Sequence, residues 1–306
     1  MHHAVLLHEA VNALNIKPKG VYIDGTFGRG GHSQAMLKYL QDGQLLVIDK
    51  DPAAILHAQQ LFGRDARITI IHGSFTQMNE VVHEKGLVGK VSGILFDLGV
   101  SSPQLDEGER GFSFMREGAL DMRMDNSQGL SAEEWLAHVQ EKELAEVLFT
   151  LGEERYAKRI ARAIVEARQH EPLNTTKVLA EVIAKAHPNW EKHKHPATKS
   201  FQAIRIYINR ELADLDVGLE QSIELLEKGG RLAVISFHSL EDRIVKQFIH
   251  LHEKGPALPR GLPVSEKEIK KHQKLKAVGR AIKPSGEEVN RNPRARSAVL
   301  RVAERV

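Results

Sequence analysis

Cysteine is absent from the 306 residues, which excludes disulfides and thiolate metal sites and fits a reducing compartment. No apolar run approaches the length needed to cross a bilayer, and Met1-His2-His3-Ala4-Val5 lacks the basic and apolar regions of a signal peptide. The expected location is the cytoplasm, with no membrane partner. No segment repeats. Net charge is only +3 with histidine neutral, so the total says little about partners. Its distribution says more, because Lys267, Lys270, Lys271, Lys274, Lys276, Arg280, Lys283, Arg291, Arg294, Arg296 and Arg301 gather near the C-terminus with few acids among them. Such a stripe can track phosphates, although charge runs are more often solvated faces. His187, His193 and His195 have no acid cluster beside them, so no metal site is expected.

What the chain does contain is glycine where a strand stops. Residues 21–33 read Val-Tyr-Ile-Asp-Gly-Thr-Phe-Gly-Arg-Gly-Gly-His-Ser, an apolar run that ends at Asp24 and breaks into a glycine-rich turn before a helix-like stretch. Gly25, Gly28, Gly30 and Gly31 are expected to turn the backbone tightly and leave room for a ligand that a Cβ would strike. A dinucleotide loop asks for G-x-G-x-x-G, but Ser33 stands where the third glycine belongs. Asp24 would repel an approaching pyrophosphate and suits a cationic ligand better. S-adenosyl-L-methionine, which carries an ammonium and a sulfonium, therefore fits this loop better than NAD.

Three more apolar runs repeat the pattern. Gln44–Ile48 ends at Asp49, about 25 residues beyond Asp24, the spacing at which a βαβ unit sets a carboxylate against ribose hydroxyls. Asp51-Pro52 supplies an N-cap with proline at the first helical position, opening a helix to about Leu61. Ile68–Ile71 leads to Phe75, an aromatic placed either to cover an adenine face or to fill the core. Val91–Phe96 ends in Asp97-Leu98-Gly99-Val100-Ser101-Ser102-Pro103-Gln104. Four such strands alternating with helices predict a doubly wound α/β sheet with its site along one edge.

After Asp97 the alternation stops for about a hundred residues. Gly108–Phe114 and Asp121–Asp125 form a loop rich in glycine, arginine and large apolar groups. Ser131-Ala132-Glu133-Glu134 predicts a capping box, and Trp135, Leu136, Val139, Leu144, Val147 and Leu148 continue at near-helical spacing. Further helices are predicted over Glu154–Arg168, over Thr175–His187 and from about Thr198. Another, Leu219–Leu226, leads to a fifth strand, Gly230–Phe237, followed by a helix to about Phe248. Leu275–Ile282 and Ala298–Val302 predict a closing antiparallel hairpin. The expected division is a sheet domain of residues 1–105 and 215–306, with a mainly helical insertion, 106–214.

The segments Asp24–Ser33, Asp97–Asp106, Arg110–Phe114, Asp121–Asp125, Ser236–Asp242 and Asn292–Ser297, in this order, together resemble the MraW (RsmH) family. Those are bacterial 16S ribosomal RNA cytosine-N4 methyltransferases with S-adenosyl-L-methionine as donor and a decoding-centre cytidine of the small subunit as acceptor. The resemblance implies a Rossmann-like methyltransferase sheet with a helical insertion that helps hold the cytidine and the RNA, and it implies a homodimer. It implies donor contacts from Gly30, Gly31 and His32, Asp49 on the ribose, Phe75 near the adenine, and Asp97 and Gln104 about the methionine end or reaction centre.

The expected chemistry is in-line displacement at a sulfonium, which needs the nucleophilic nitrogen held at near-attack distance. The cytosine amino group is a poor nucleophile, and an acceptor for its N–H would help free the lone pair. Asp97 is the expected catalytic residue; the alternative is that it binds only the donor or caps the following turn. Leu98-Gly99-Val100 provide no stacking aromatic after the acid, so Phe112, Phe114 or the helical insertion are the candidates to stack on the base. Arg110, Arg116 and Arg123 are candidates for phosphates, and Ser101 and Ser102 for the substrate. Two other functions compete: a dinucleotide-dependent oxidoreductase, and an RNA-binding ribosome assembly factor that has lost activity.

Overall fold

The computed structural model describes residues 4–189, 195–255 and 272–306. Strand β1 (Val21–Asp24), β2 (Gln44–Asp49) and β4 (Val91–Asp97) are buried along nearly their whole length, as strands are when helices cover both faces of a parallel sheet. With β3 (Ile68–His72), β5 (Leu226–Ser236), β6 (Leu275–Ala277) and β7 (Val299–Arg305) they form one seven-stranded sheet in the order β3-β2-β1-β4-β5-β7-β6. The first five strands run parallel, and β7 runs antiparallel to both β5 and β6. Chain order reverses between β1 and β4, so loops on the two sides diverge there and leave a crevice beyond the carboxyl ends.

Alternation along each strand sorts the core into two layers. Tyr22, Leu45, Val47, Leu95, Ala233 and Ile235 face one way, against helices Leu7–Ala13 and Gly31–Leu37. Ile23, Leu46, Ile48, Ile94, Phe96 and Val234 face the other, against helices Met78–Glu84, Glu211–Leu225 and Ser239–Lys254. This is the doubly wound α/β sheet expected from the four apolar runs. Two compact units make up the chain: Met1–Gly99 with Leu212–Val306, and Val100–Glu211. The second unit is helical and has its own core around Leu136, Leu148, Ile160, Leu179 and Ile204.

Local signals held where they were local. Asp51 accepts the Ala53 N–H at 2.9 Å and caps the helix Pro52–Phe62. Ser131 and Glu134 exchange bonds of 3.1 and 2.8 Å in the predicted capping box. The helix predicted to run on through Leu148 instead breaks in two, Ala132–His138 and Glu141–Gly152, with Val139 extended at ψ 140°. No glycine or proline marks the break. Arg168 stabilises it by donating to the carbonyls of Leu136 and Val139, which the end of the first helix leaves without intrahelical donors. The C-terminal hairpin forms, but its connection is no tight turn: Ile282 bridges to Leu300, and a helix, Gly286–Arg291, intervenes. No helix among the described residues is long and apolar enough to cross a membrane.

Candidate active site at the carboxyl edge of the sheet

Asp24, Asp49 and Asp97 are the last residues of β1, β2 and β4, three neighbouring positions along one sheet edge. Asp24 is 1% exposed. It accepts the Ser33 hydroxyl at 2.6 Å and the Thr26 N–H at 3.2 Å, yet burial pushes it up to about 6. Asp49 accepts backbone N–H groups from Gly28 at 2.6 Å and Asp51 at 2.8 Å, and desolvation likewise pushes it up to about 6. Each of its oxygens keeps a second lone pair free for a hydroxyl donor. Burial, then the charges of Asp24 and Glu241, raise Asp97 well above the usual carboxylate range. Among the described residues no lysine or arginine pairs with any of the three. The edge therefore gathers three carboxyl groups that no lysine or arginine neutralises among the described residues.

Asp97 is half-buried, as Asp49 is, with 24% of its side chain exposed. The Thr26 hydroxyl oxygen holds its backbone N–H at 2.6 Å, while its Oδ1 is buried without a hydrogen-bond partner. Among the described residues its one charge-pair neighbour is His32, whose Nδ1 lies 3.5 Å from Oδ2. His32 is 5% exposed, its Nε2 is 3.1 Å from the Val5 carbonyl, and burial pushes its imidazolium down to about 4. The ring is thus neutral near pH 7.

Two residues of this edge escaped the sequence reading as site groups. Glu241, in the first turn of the helix after β5, is 2% exposed and accepts the Phe237 and His238 N–H groups at 2.8 and 3.3 Å. Its signal was present, an acid three residues into a helix that opens at the same sheet edge. Thr26, which fixes the backbone of Asp97, had no signal beyond its place in the glycine-rich loop.

The glycines of that loop are required by the protein itself. A Cβ on Gly25 would sit 2.5 Å from the Phe96 ring, one on Gly30 would sit 2.7 Å from the Phe27 ring, and one on Gly31 would sit 2.8 Å from Ala4 Cβ. Gly30 also has φ +75°. The expectation that a Cβ there would strike a ligand is thus preceded by a collision with the fold. Phe75 lies against Phe96, ring centroids 4.7 Å apart, and covers the face of Gly218.

In the helical unit, Gln104 is buried and its Oε1 accepts the Ser101 N–H at 2.9 Å, closing a capping box on the helix Ser102–Asp106. The S-x-x-Q pattern at 101–104 was a readable signal for that box. Arg110 is 8% exposed and donates to the carbonyls of Arg123 and Met124 at 3.0 and 2.9 Å, with its guanidinium 5.8 Å from the Phe112 ring centre. Arg123 forks onto Asp121 at 2.8 and 2.7 Å and also reaches the Gly129 carbonyl. Arg116 donates to the Asp106 carbonyl. All three guanidiniums hold loop backbone or a neighbouring acid. Phe112 is buried, and Phe114 packs on Phe201 and His195 with centroids 4.9 and 4.6 Å apart.

His187 lies 3.6 Å from the buried Glu154, and His195 accepts the Ala197 N–H, while His193 lies outside the described residues. Of the basic stripe, Lys267, Lys270 and Lys271 also lie outside them. Arg301 forks onto Asp242 at 2.7 and 3.0 Å. Lys246, His250, Arg280 and Arg301 line a groove of about 150 Å³ between the helix Ser239–Lys254 and the C-terminal strands.

Comparison with known proteins places the chain in a family. The family described as the MraW methylase family matches residues 1–306. A protein of Shewanella loihica named ribosomal RNA small subunit methyltransferase H is 58% identical over 306 residues, covering 100% of this chain and 97% of that protein. Among solved structures, an rRNA methylase from Streptococcus thermophilus aligns with TM-score 0.42 and 11% identity, covering 100% of this chain and 99% of its own. A SAM-dependent O-methyltransferase from Thermotoga maritima aligns with TM-score 0.42 and 9% identity, covering 100% and 68%. The full-length match and the 58% identity establish that this chain belongs to the MraW methylase family.

Proposed function

We propose that this chain transfers a methyl group from S-adenosyl-L-methionine to the exocyclic N4 of a decoding-centre cytidine in the 16S RNA of the small ribosomal subunit. The observation that carries the donor is the edge of acids at Asp24, Asp49 and Asp97 that no lysine or arginine among the described residues neutralises. Such charge attracts a sulfonium and an ammonium and repels a pyrophosphate, which also argues against the oxidoreductase. Membership of a methylase family and identity to a small-subunit RNA methyltransferase support RNA as acceptor. The choice of cytosine N4 rests on the motif resemblance.

In this reading Asp49 receives the ribose hydroxyls on its free lone pairs, the Gly30–His32 turn walls the donor, and Phe75 backs the adenine. Bound there, S-adenosyl-L-methionine supplies an electrophilic methyl carbon on a sulfonium. Asp97 faces it, accepts an amino N–H of the cytosine, and by its charge stabilises the positive charge passing through the transition state. The insertion holds the cytidine, with Ser101, Ser102 and Gln104 on a capped helix and the loop of Phe112 and Phe114 beside them in sequence. Arg110 and Arg123 shape that loop, a role suited to guanidiniums already engaged with carbonyls and Asp121. The groove of Lys246 and Arg280 follows RNA phosphates.

The test is a comparison of methylated nucleotides in small-subunit RNA from cells with and without the protein. One N4-methylated cytidine should vanish with the gene and return with the purified protein and donor. Loss of no methyl group would refute the assignment.

A further inference from the structure

Two hydrogen-bond acceptors face one another at the centre of the site. A carbonyl only accepts, so the contact of His32 Nε2 with the Val5 carbonyl at 3.1 Å requires the proton on Nε2. The neutral ring then turns a bare lone pair, Nδ1, toward Asp97 Oδ2 at 3.5 Å. An ionised Asp97 would meet that lone pair with a second one. A proton between them resolves the clash, and the surroundings favour it. Asp24 from β1 and Glu241 from the helix after β5 both add negative charge about Asp97, the His238 ring lies 3.1 Å from Glu241, and among the described residues no lysine or arginine pairs with the aspartate. Burial of His32 and of Asp97 Oδ1 disfavours charge on either group.

We propose that His32 is the positioning partner of Asp97, its Nδ1 sharing the proton that Asp97 gives up when the cationic donor enters and takes back after methyl transfer. The inference rests on the functional reading above, in which a sulfonium arrives beside Asp97. In the free protein the couple holds one proton, and the two groups titrate as a pair. The sulfonium takes over the proton's electrostatic role, and the proton leaves. Asp97, now ionised, accepts the amino N–H. During transfer the nitrogen lone pair forms the new bond to carbon, the carbon–sulfur pair stays on sulfur, and one amino proton passes to Asp97 Oδ2 and is shared with Nδ1. Nothing is oxidised or reduced. His32 thereby stabilises the proton on Asp97 in the states before donor entry and after transfer.

Calorimetric titration in buffers of different ionisation enthalpy counts the protons released. The wild-type protein should release about one proton per S-adenosyl-L-methionine near neutral pH and distinctly fewer with S-adenosylhomocysteine, which lacks the sulfonium charge. In His32→Gln the amide can still donate to the Val5 carbonyl but offers nothing at the Nδ1 position. Its proton release per bound donor should fall below half, and the acidic limb of kcat/KM should move to lower pH because the acid has lost its acceptor. A purely structural role would lower activity without moving that limb. Asp97→Asn should abolish the donor-specific release, and it provides the second arm if His32→Gln does not fold. A wild-type protein that binds the donor and releases no proton, or an unshifted limb in His32→Gln, overturns the couple while leaving the methyltransferase reading intact. Failure to bind the donor at all overturns that reading first.

Discussion

At the strand ends Asp24, Asp49 and Asp97 meet no lysine or arginine among the described residues and all three are raised by burial, whereas in the loop of residues 106–130 Asp121 is met locally by Arg123. There burial pushes Asp121 up, but the bonds from Arg123 outweigh it and hold the carboxyl below its ordinary value. Arg110 is spent on two carbonyls. Both stretches are glycine-rich, and their sequences alone suggested binding in both. The difference separates two uses of charge: neutralised charge braces a loop, and charge left buried and unneutralised marks where a cation belongs.

Asp97 gives the largest expected break in that comparison. Asp97→Asn keeps the shape and one acceptor oxygen but loses the negative charge and the oxygen that can take a proton, so methylation of small-subunit RNA should fall about 10²–10⁴-fold in single-turnover assays, with thermal stability kept or increased. An unchanged rate would place the chemistry elsewhere. The bracing arginine comes next and should act through stability. Arg110→Ala strips the charged donor from the Arg123 and Met124 carbonyls and should cost about 3 kcal/mol in chemical denaturation. An unmoved midpoint would mean that the loop does not depend on the guanidinium.

What was legible in the sequence follows the same division. An apolar run that ends at an acid is a local signal, and it located β1, β2 and β4 together with Asp24, Asp49 and Asp97. Capping of Pro52–Phe62 and Ala132–His138 was readable because each cap lies within three residues of its partner. The break at Val139 was not, because Arg168, which satisfies its carbonyls, lies 29 residues away. The demand for glycine at 25, 30 and 31 was visible, but its cause was not, since Phe96, Phe27 and Ala4 reach those positions only in the fold. His32 belongs to a readable motif, but it meets Asp97 only because the fold brings β1's loop beside the end of β4.

Asp24 sharpens the comparison with a smaller effect of opposite sign. Its folded value of about 6 lies above the ordinary 3.8, so the folded state binds more protons between the two and stability is lost as pH rises through that window. Asp24→Asn removes the buried charge and should raise stability at pH 8 by at most about 3 kcal/mol, with little gain at pH 4, while weakening donor binding. Equal effects at both pH values in thermal denaturation would show that the buried carboxylate carries no such cost.

The central claim is that the unneutralised acids select a sulfonium. Its most direct test is the affinity for S-adenosyl-L-methionine and for S-adenosylhomocysteine between pH 5 and pH 7. The expected result is that the donor binds on the order of 100-fold more tightly across that interval as the acids ionise around it, while the neutral-sulfur product changes less. The same pH dependence for both compounds, or none for either, would contradict the account.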